Sequence, residues 1–312
     1  MYYPYFRGKQ YDLIVIRECA DLFAQNNFVP IIEPVKESTT ALVRALRTLV
    51  ASQCDSVLIV NPVNGNHSTD PSAISEILNE TFKGDSYIRV GILLEKETSA
   101  REAFDLANNF PQRKSSFIHS GFTDPVALVE LLQDGKERYE HIFLEEGRGK
   151  RYQKHFKDFH RVLIKDSFEK RSNREHPNVE YFSDLHATYE EETMDGFGDF
   201  LIVGDDYSES GGPAYAVAIH ITYIDADDDD GMYIYHFKSD RNDTPTDPGG
   251  KFAEALSKLI LEVNSSSTKV TQTKAIDEFR DLYESKHFPG LGSIKKIAMK
   301  HHIQTLAHYL AD

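Results

Sequence analysis

The chain has 312 residues, 35 Lys+Arg against 50 Asp+Glu, a formal net charge of −15 and 40% hydrophobic residues, the balance of an ordinary globular protein. So acidic a chain disfavours a dedicated duplex-DNA binder, which needs a basic face to neutralise phosphates. Two cysteines, Cys19 and Cys54, make neither a disulfide framework nor a four-cysteine zinc site, and the lack of a signal-type apolar core or of a run near about 18 apolar residues points to a cytoplasmic protein that does not enter the membrane.

Over the first two-thirds one unit recurs: a short apolar run, a polar residue where it stops, then a segment with helical spacing. The runs are 2–6, 28–32, 56–60, 88–94, 116–118, 141–144, 162–164 and 200–203. Between them, 9–25 carries Leu13, Ile16, Ala20 and Phe23, and 38–52 carries Leu42, Ala45, Leu46 and Leu49, both at the three- and four-residue steps of an amphipathic helix. Further helices are predicted over 71–81, 98–109, 123–132 and 149–159, several opening on Ser, Thr or Asp caps. The seventh crossover is the weakest, with only 183–192 available after Pro177.

Eight such units predict an α/β fold, a (β/α)8 TIM-like barrel over 1–206. An open doubly wound sheet produces the same local pattern, but the near-even strand spacing and the absence of a Gly-rich dinucleotide turn favour closure. Beyond 206 the pattern changes. Gly211-Gly212-Pro213 punctuates the chain, 214–224 and 232–237 flank the acidic segment 225–230 as a β-hairpin, and helices are predicted over 251–263, 275–284 and 293–310. The alternative is that 214–224 is the eighth barrel strand and 200–203 an excursion. Either way 207–312 reads as an α+β extension packed on the barrel.

Barrel active sites lie at the C-terminal strand ends, where this chain places Arg7, Lys9, Glu33, Asn61, Glu95, His119, Glu145, Lys165, Asp166 and Asp205. Strands must end in something polar, so roughly half of these are expected to be structural. Glu33, Glu95 and Glu145, with His119 between two of them, form a candidate set for a divalent cation or for general acid–base work, and Asp166 joins them as a catalytic candidate. A second set is basic: Lys165, Lys170, Arg171 and Arg174 after the seventh strand, with Arg7, Lys9 and Asn61, suited to an anionic or phosphorylated small molecule. The bland alternative is a solvated loop whose arginines pair with Asp166, Glu169 and Glu175. A third set lies on the extension: His220 and His236 near opposite ends of the hairpin, with Ser239, Asp240 and Arg241, a metal or acid–base group or else a satisfied structural pair.

Other patterns fail on inspection. Asp247-Pro248-Gly249-Gly250-Lys251 lacks the first Walker glycine and has Phe252 where Ser or Thr should hold magnesium. Gly196-Phe197-Gly198-Asp199 has no other kinase signature around it. His301 and His302 are adjacent on a helix, where ligand pairs need spacings of three or four.

The segments MYYPYFRGKQYDLIVIRE, VPIIEPVKES, FGDFLIVGDDYSESGGPAYAVAIHITYI and HFKSDRNDTPTDPGGKFAEAL resemble a bacterial family known by a locus-tag name and related to the phage "beta protein" barrels. The resemblance spans nearly the full length and rests on long segments rather than on a catalytic signature. It implies an intracellular bacterial protein encoded beside a nuclease-like partner, a two-component system with anti-phage defence as its candidate role. It brings no reaction and no catalytic residue. Two readings follow: a barrel hydrolase or lyase acting on a phosphate-bearing, nucleotide-like substrate, or a non-catalytic sensor or scaffold that binds and regulates the nuclease-like protein.

Overall fold

In the structure, a computed structural model that describes residues 1–145, 149–209, 212 and 214–311, the alternation of the sequence closes on itself. The eight parallel strands are β1 (Tyr2–Phe6), β2 (Ile31–Ile32), β3 (Ser56–Ile59), β4 (Ile88–Leu94), β5 (Ser115–His119), β6 (Tyr139–Leu144), β7 (His160–Lys165) and β9 (Gly196–Asp199), and β9 pairs back onto β1. This is a (β/α)8 TIM-like barrel. Its interior is filled by Tyr3, Tyr5, Ile31, Val57, Ile59, Leu93, Ile118, Ile142, Val162 and Ile164, β-branched and aromatic side chains that suit the inner face of a closed sheet. One end of the interior is charged: Arg89 pairs with Glu140 at 2.8 Å and with Asp55, and Glu140 also accepts from Tyr3 and Ser116. These residues lie at or just before the strand starts, the end of a barrel that serves stability.

The eighth strand corrects the sequence reading. Neither 200–203 nor 214–224 closes the barrel; Gly196–Asp199 does, with Tyr3 opposite Gly198 on one side and Ile164 opposite Gly198 on the other. Glycine has low strand propensity, which hides this segment from a search for apolar runs. The structure needs it there: a Cβ on Gly198 would lie 2.1 Å from the Tyr3 carbonyl oxygen and 2.5 Å from Ile164 Cδ1. The Phe200–Val203 run follows as buried turn, with Phe200 plugging the barrel core.

Helices α1 (Gln10–Gln25), α2 (Thr40–Ala51), α3 (Ser72–Glu76), α4 (Ala100–Asn108), α5 (Pro125–Leu131) and α6 (Lys150–Gln153) occupy the predicted crossovers. The predicted apolar stripe of α2 is buried as expected, and α4 opens on a capping box in which Ser99 and Glu102 exchange hydrogen bonds. The sixth crossover is shorter than predicted, α6 passing into a 3-10 turn over Lys154–Phe156. The seventh holds only α7 (Leu185–Thr188), preceded by a strand, β8 (Val179–Ser183), where loop was expected.

By its contacts the chain divides into two compact units, Met1–Asp166 with Thr188–Phe200, and Ser167–Ala187 with the residues from Leu201 onward. The sequence reading placed a single cut at 206–207; the contacts instead group the segment after β7 with the C-terminal part, because β8 hydrogen-bonds into its sheet. That sheet has the order β10-β11-β8, all antiparallel, with β10 (Ala218–Asp225) and β11 (Gly231–Lys238) forming the predicted hairpin around the acidic turn. Gly211 and Pro213 of the predicted punctuation lie outside the described residues. Three helices complete the second unit, α8 (Pro248–Val263), α9 (Lys274–Ser285) and α10 (Leu291–Tyr309). No helix among the described residues is long and apolar enough to cross a membrane.

Candidate functional site

The strand-end carboxylates of the barrel unit do not share one environment. Glu33 is fully buried and saturated: Oε2 accepts from the Tyr5 hydroxyl at 3.1 Å and from Arg7, and Oε1 accepts from the backbone of Val63 and Asn64 and from Asn64 Nδ2, at 3.0 to 3.2 Å. The loop that supplies these donors depends on Gly65, whose left-handed backbone (φ +73°) seats it against the Val35 carbonyl. Five donors on one carboxylate leave no lone pair directed at a cation, so Glu33 and Arg7 form a clamp between two βα loops. Arg7 also lies over the rings of Tyr5 and Phe200. Glu95 and Glu145 are exposed. Asn61 spends both side-chain groups on the Leu93 backbone at 2.9 Å, continuing the β3–β4 ladder beyond its last regular pair. Lys9 caps α1, and Lys165, at the end of β7, and Asp166 are partly buried.

His119 corrects the sequence expectation. It closes β5, but Ile118 takes the interior position and the alternation of the strand turns His119 outward. There Nδ1 meets the Tyr152 hydroxyl at 2.7 Å, Nε2 meets His141 Nδ1 at 2.9 Å, and the ring stacks on Phe143 among Phe122 and Phe156. Burial pulls its pKa down to about 3, and burial together with the neighbouring imidazole holds that of His141 well below its ordinary value. His119 is therefore a neutral, packed histidine of the sheet–helix layer.

The residues that converge lie in the second unit. His220 and His236 stand directly opposite each other on β10 and β11, as the hairpin predicted, with Nδ1 to Nδ1 at 2.7 Å. The third member, His176, was missed. It sits on the loop before β8, its ring stacked 4.3 Å from that of His236 and edge-on 5.1 Å from that of His220, with Phe168 beside all three. Pairing of β8 with β11 brings that loop here: His236 donates its backbone N–H to Asn178, Asn173 holds the Ala216 carbonyl, and Lys238 Nζ donates to the His176 carbonyl. Glu180 completes the group. It accepts from His236 Nε2 at 2.9 Å, takes both its Arg171 bonds at 2.7 and 2.8 Å, and lies 3.6 Å from His176 Nδ1, too far for a hydrogen bond.

Electrostatics follow from burial. Desolvation favours the neutral form of all three imidazoles, pushing His236 down to about 4, His176 below its ordinary value and His220 well below it; neighbouring rings add to the effect at His220 and His236, while at His176 Glu180 opposes it. For Glu180 burial acts to raise the pKa, but Arg171 and His236 outweigh it and keep the carboxyl below its ordinary range. The rings of His176 and His220 line a cavity of about 630 Å³ together with Ile202, Val217 and Ile294, and Arg171, Arg174 and Lys295 are among its other lining residues. A cavity of this size suits a small molecule.

Two other candidates go elsewhere. Asp240 pairs with Lys258 at 2.6 Å, and Arg241 with Glu254 and Asp247 at the start of α8, so neither joins the histidines. The hairpin ends at Lys238, and the following loop is drawn to the helix instead. Lys251 is buried and donates to the carbonyls of Tyr215 and Thr244, a clip rather than a phosphate hook. His301 and His302 are spent on Thr222 and Thr273. The signal that could have found His176 was an HP pair after a basic run, readable only once 179–183 is recognised as a strand. Comparison with protein-family models gives no match to this chain, and comparison with curated proteins gives none either.

Proposed function

We propose that this protein is the ligand-binding component of a bacterial intracellular two-component system, and that it holds a phosphorylated or nucleotide-like anion in the cavity of its second unit. The observation that supports this reading is the cavity itself, about 630 Å³ with Arg171, Arg174 and Lys295 among its lining residues, in a chain whose net charge is −15. Cations gathered locally in an acidic protein focus a field on an anion, and guanidinium groups grip phosphate oxygens in pairs. Arg171 is positioned by Glu180, while Arg174 is exposed at the cavity.

The choice between hydrolysis and sensing turns on the barrel. With Glu33 saturated and His119 packed outward, the sensor reading draws more support than a barrel hydrolase. A nuclease-like partner and a role in anti-phage defence come from the family resemblance alone; co-expression with the product of the neighbouring gene and a native mass of the complex test that part. The ligand part is tested by calorimetry with inorganic phosphate, pyrophosphate and AMP on metal-free full-length protein. Saturable binding that weakens about tenfold in Arg174→Ala and in Lys295→Ala is expected. Absence of binding to all three, or equal affinity in both variants, overturns it.

A further inference from the structure

Three imidazoles in mutual contact, those of His176 and His236 buried and that of His220 partly so, beside a cavity that His176 and His220 line, are more than an anion site requires. One ring nitrogen from each of His176, His220 and His236 lies within 4.8 Å of the others. We propose that these three histidines are the protein ligands of a single Zn²⁺ ion whose fourth position faces the cavity, an inference that rests on the cavity being the ligand site and adds the metal to which an anion's oxygen would bind.

The donor set selects the metal. Three imidazoles suit zinc and its neighbours, whereas magnesium and calcium take oxygen ligands. A three-histidine set leaves one tetrahedral position open, the arrangement of zinc sites that bind a water or substrate rather than merely hold a fold. Zinc–nitrogen bonds of about 2.0–2.1 Å set tetrahedral nitrogens about 3.3 Å apart. His220 and His236 Nδ1, now 2.7 Å apart, must therefore part slightly, and the His176 nitrogen, within 4.8 Å of both, must settle at the same spacing. The two strand residues are fixed by ladder register, while His176 sits on a loop before Pro177 and β8 and can follow.

Two further observations favour a metal over a structural histidine cluster. His176 is 2% exposed, and its Nδ1, 3.6 Å from Glu180 Oε1, has no partner within hydrogen-bond distance among the described residues, a cost that a buried nitrogen rarely bears without a purpose. Glu180 accepts from His236 Nε2, which fixes the tautomer that leaves the His236 Nδ1 lone pair turned toward His220. A carboxylate behind a ligating imidazole is the recurrent outer partner of zinc sites. Without metal, one proton sits between the two Nδ1 atoms. On binding, His220 gives it up from Nδ1 and takes a proton on Nε2, so the imidazoles stay neutral.

The test uses full-length protein stripped with EDTA and freed of phosphate, titrated with Co²⁺ as the spectroscopic probe. One equivalent should bind with the intense visible bands of a tetrahedral site. Those bands should vanish in His236→Ala and His176→Ala and survive in His308→Ala, whose histidine is exposed on α10. Glu180→Gln should weaken binding about 10–100-fold without changing the geometry of the spectrum, as befits a positioning residue. Should the histidine variants fail to fold, the wild-type protein decides: one equivalent of Zn²⁺ must raise its thermal midpoint. Weak octahedral bands, Co²⁺ binding unchanged in His236→Ala, or no midpoint shift with Zn²⁺ each overturn the proposal. Co²⁺ binding without phosphate binding leaves the metal site standing and removes the ligand reading; phosphate binding without Co²⁺ binding does the reverse.

Discussion

Glu33 of the barrel unit and Glu180 of the second unit are alike in sequence terms, each a glutamate bonded to an arginine, Arg7 in one case and Arg171 in the other. Their surroundings differ. Glu33 has every lone pair filled by a hydroxyl, a guanidinium, two backbone amides and an asparagine, and it acts as a staple. Glu180 leans on an imidazole that meets two others at a cavity wall. A carboxylate's role is set less by its place at a strand end than by whether the groups around it already exhaust its hydrogen-bonding capacity.

The sharpest way to break this comparison is Glu33→Ala. If Glu33 is a staple, its removal takes the carboxylate from beside Arg7 and an acceptor from the Tyr5 hydroxyl and should cost about 3–5 kcal/mol, read from urea unfolding, with anion binding kept wherever the protein still folds. A stable variant that has lost its ligand would reverse the roles assigned to the two glutamates. Gly198→Ala tests barrel closure next: its Cβ cannot fit beside Tyr3, and a loss of about 1–3 kcal/mol or more is expected.

A pH series probes the barrel's packed histidines. His119 titrates near 3 when folded, against an ordinary value of about 6.5. Its folded pKa is depressed, so between about pH 6.5 and 3 the unfolded chain binds the proton and the native state does not. Stability should therefore be level above about pH 6.5 and fall by about 1.4 kcal/mol per pH unit per such histidine below it. Replacing His141 by Phe removes one of these groups and should flatten the slope measured by urea unfolding between pH 7 and 5. An unchanged slope would mean that the acid sensitivity lies elsewhere. The smallest effect is expected at Asp240→Asn, an exposed partner of Lys258: less than about 1 kcal/mol in stability and no change in Co²⁺ or phosphate binding. Weakened Co²⁺ binding there would restore Asp240 to the histidine group.

Much of the fold was legible because hydrophobic periodicity is a local property. Seven of the eight barrel strands, the hairpin and the three C-terminal helices follow from it. The exceptions share a cause. Gly196–Asp199 is a strand because β1 and β7 offer it two edges, the β1 backbone leaving room only for glycine at 196 and 198, and Val179–Ser183 is a strand because β11 offers it an edge. Neither condition is written in the segment itself.

The same line divides the site. The His220–His236 pairing was visible, since a hairpin fixes which residues face each other. What His119 faces was not, because one step along a strand decides between barrel interior and outer layer. His176 was hidden altogether, 44 residues before His220 and brought to it through the third strand of the sheet. The sequence by itself determined the alternation of strands and helices, the acidic balance and the inventory of polar strand ends. Tertiary structure alone decided which of those polar groups are used up by neighbours and which meet at a cavity, because hydrogen-bond saturation and burial depend on residues far apart in the chain.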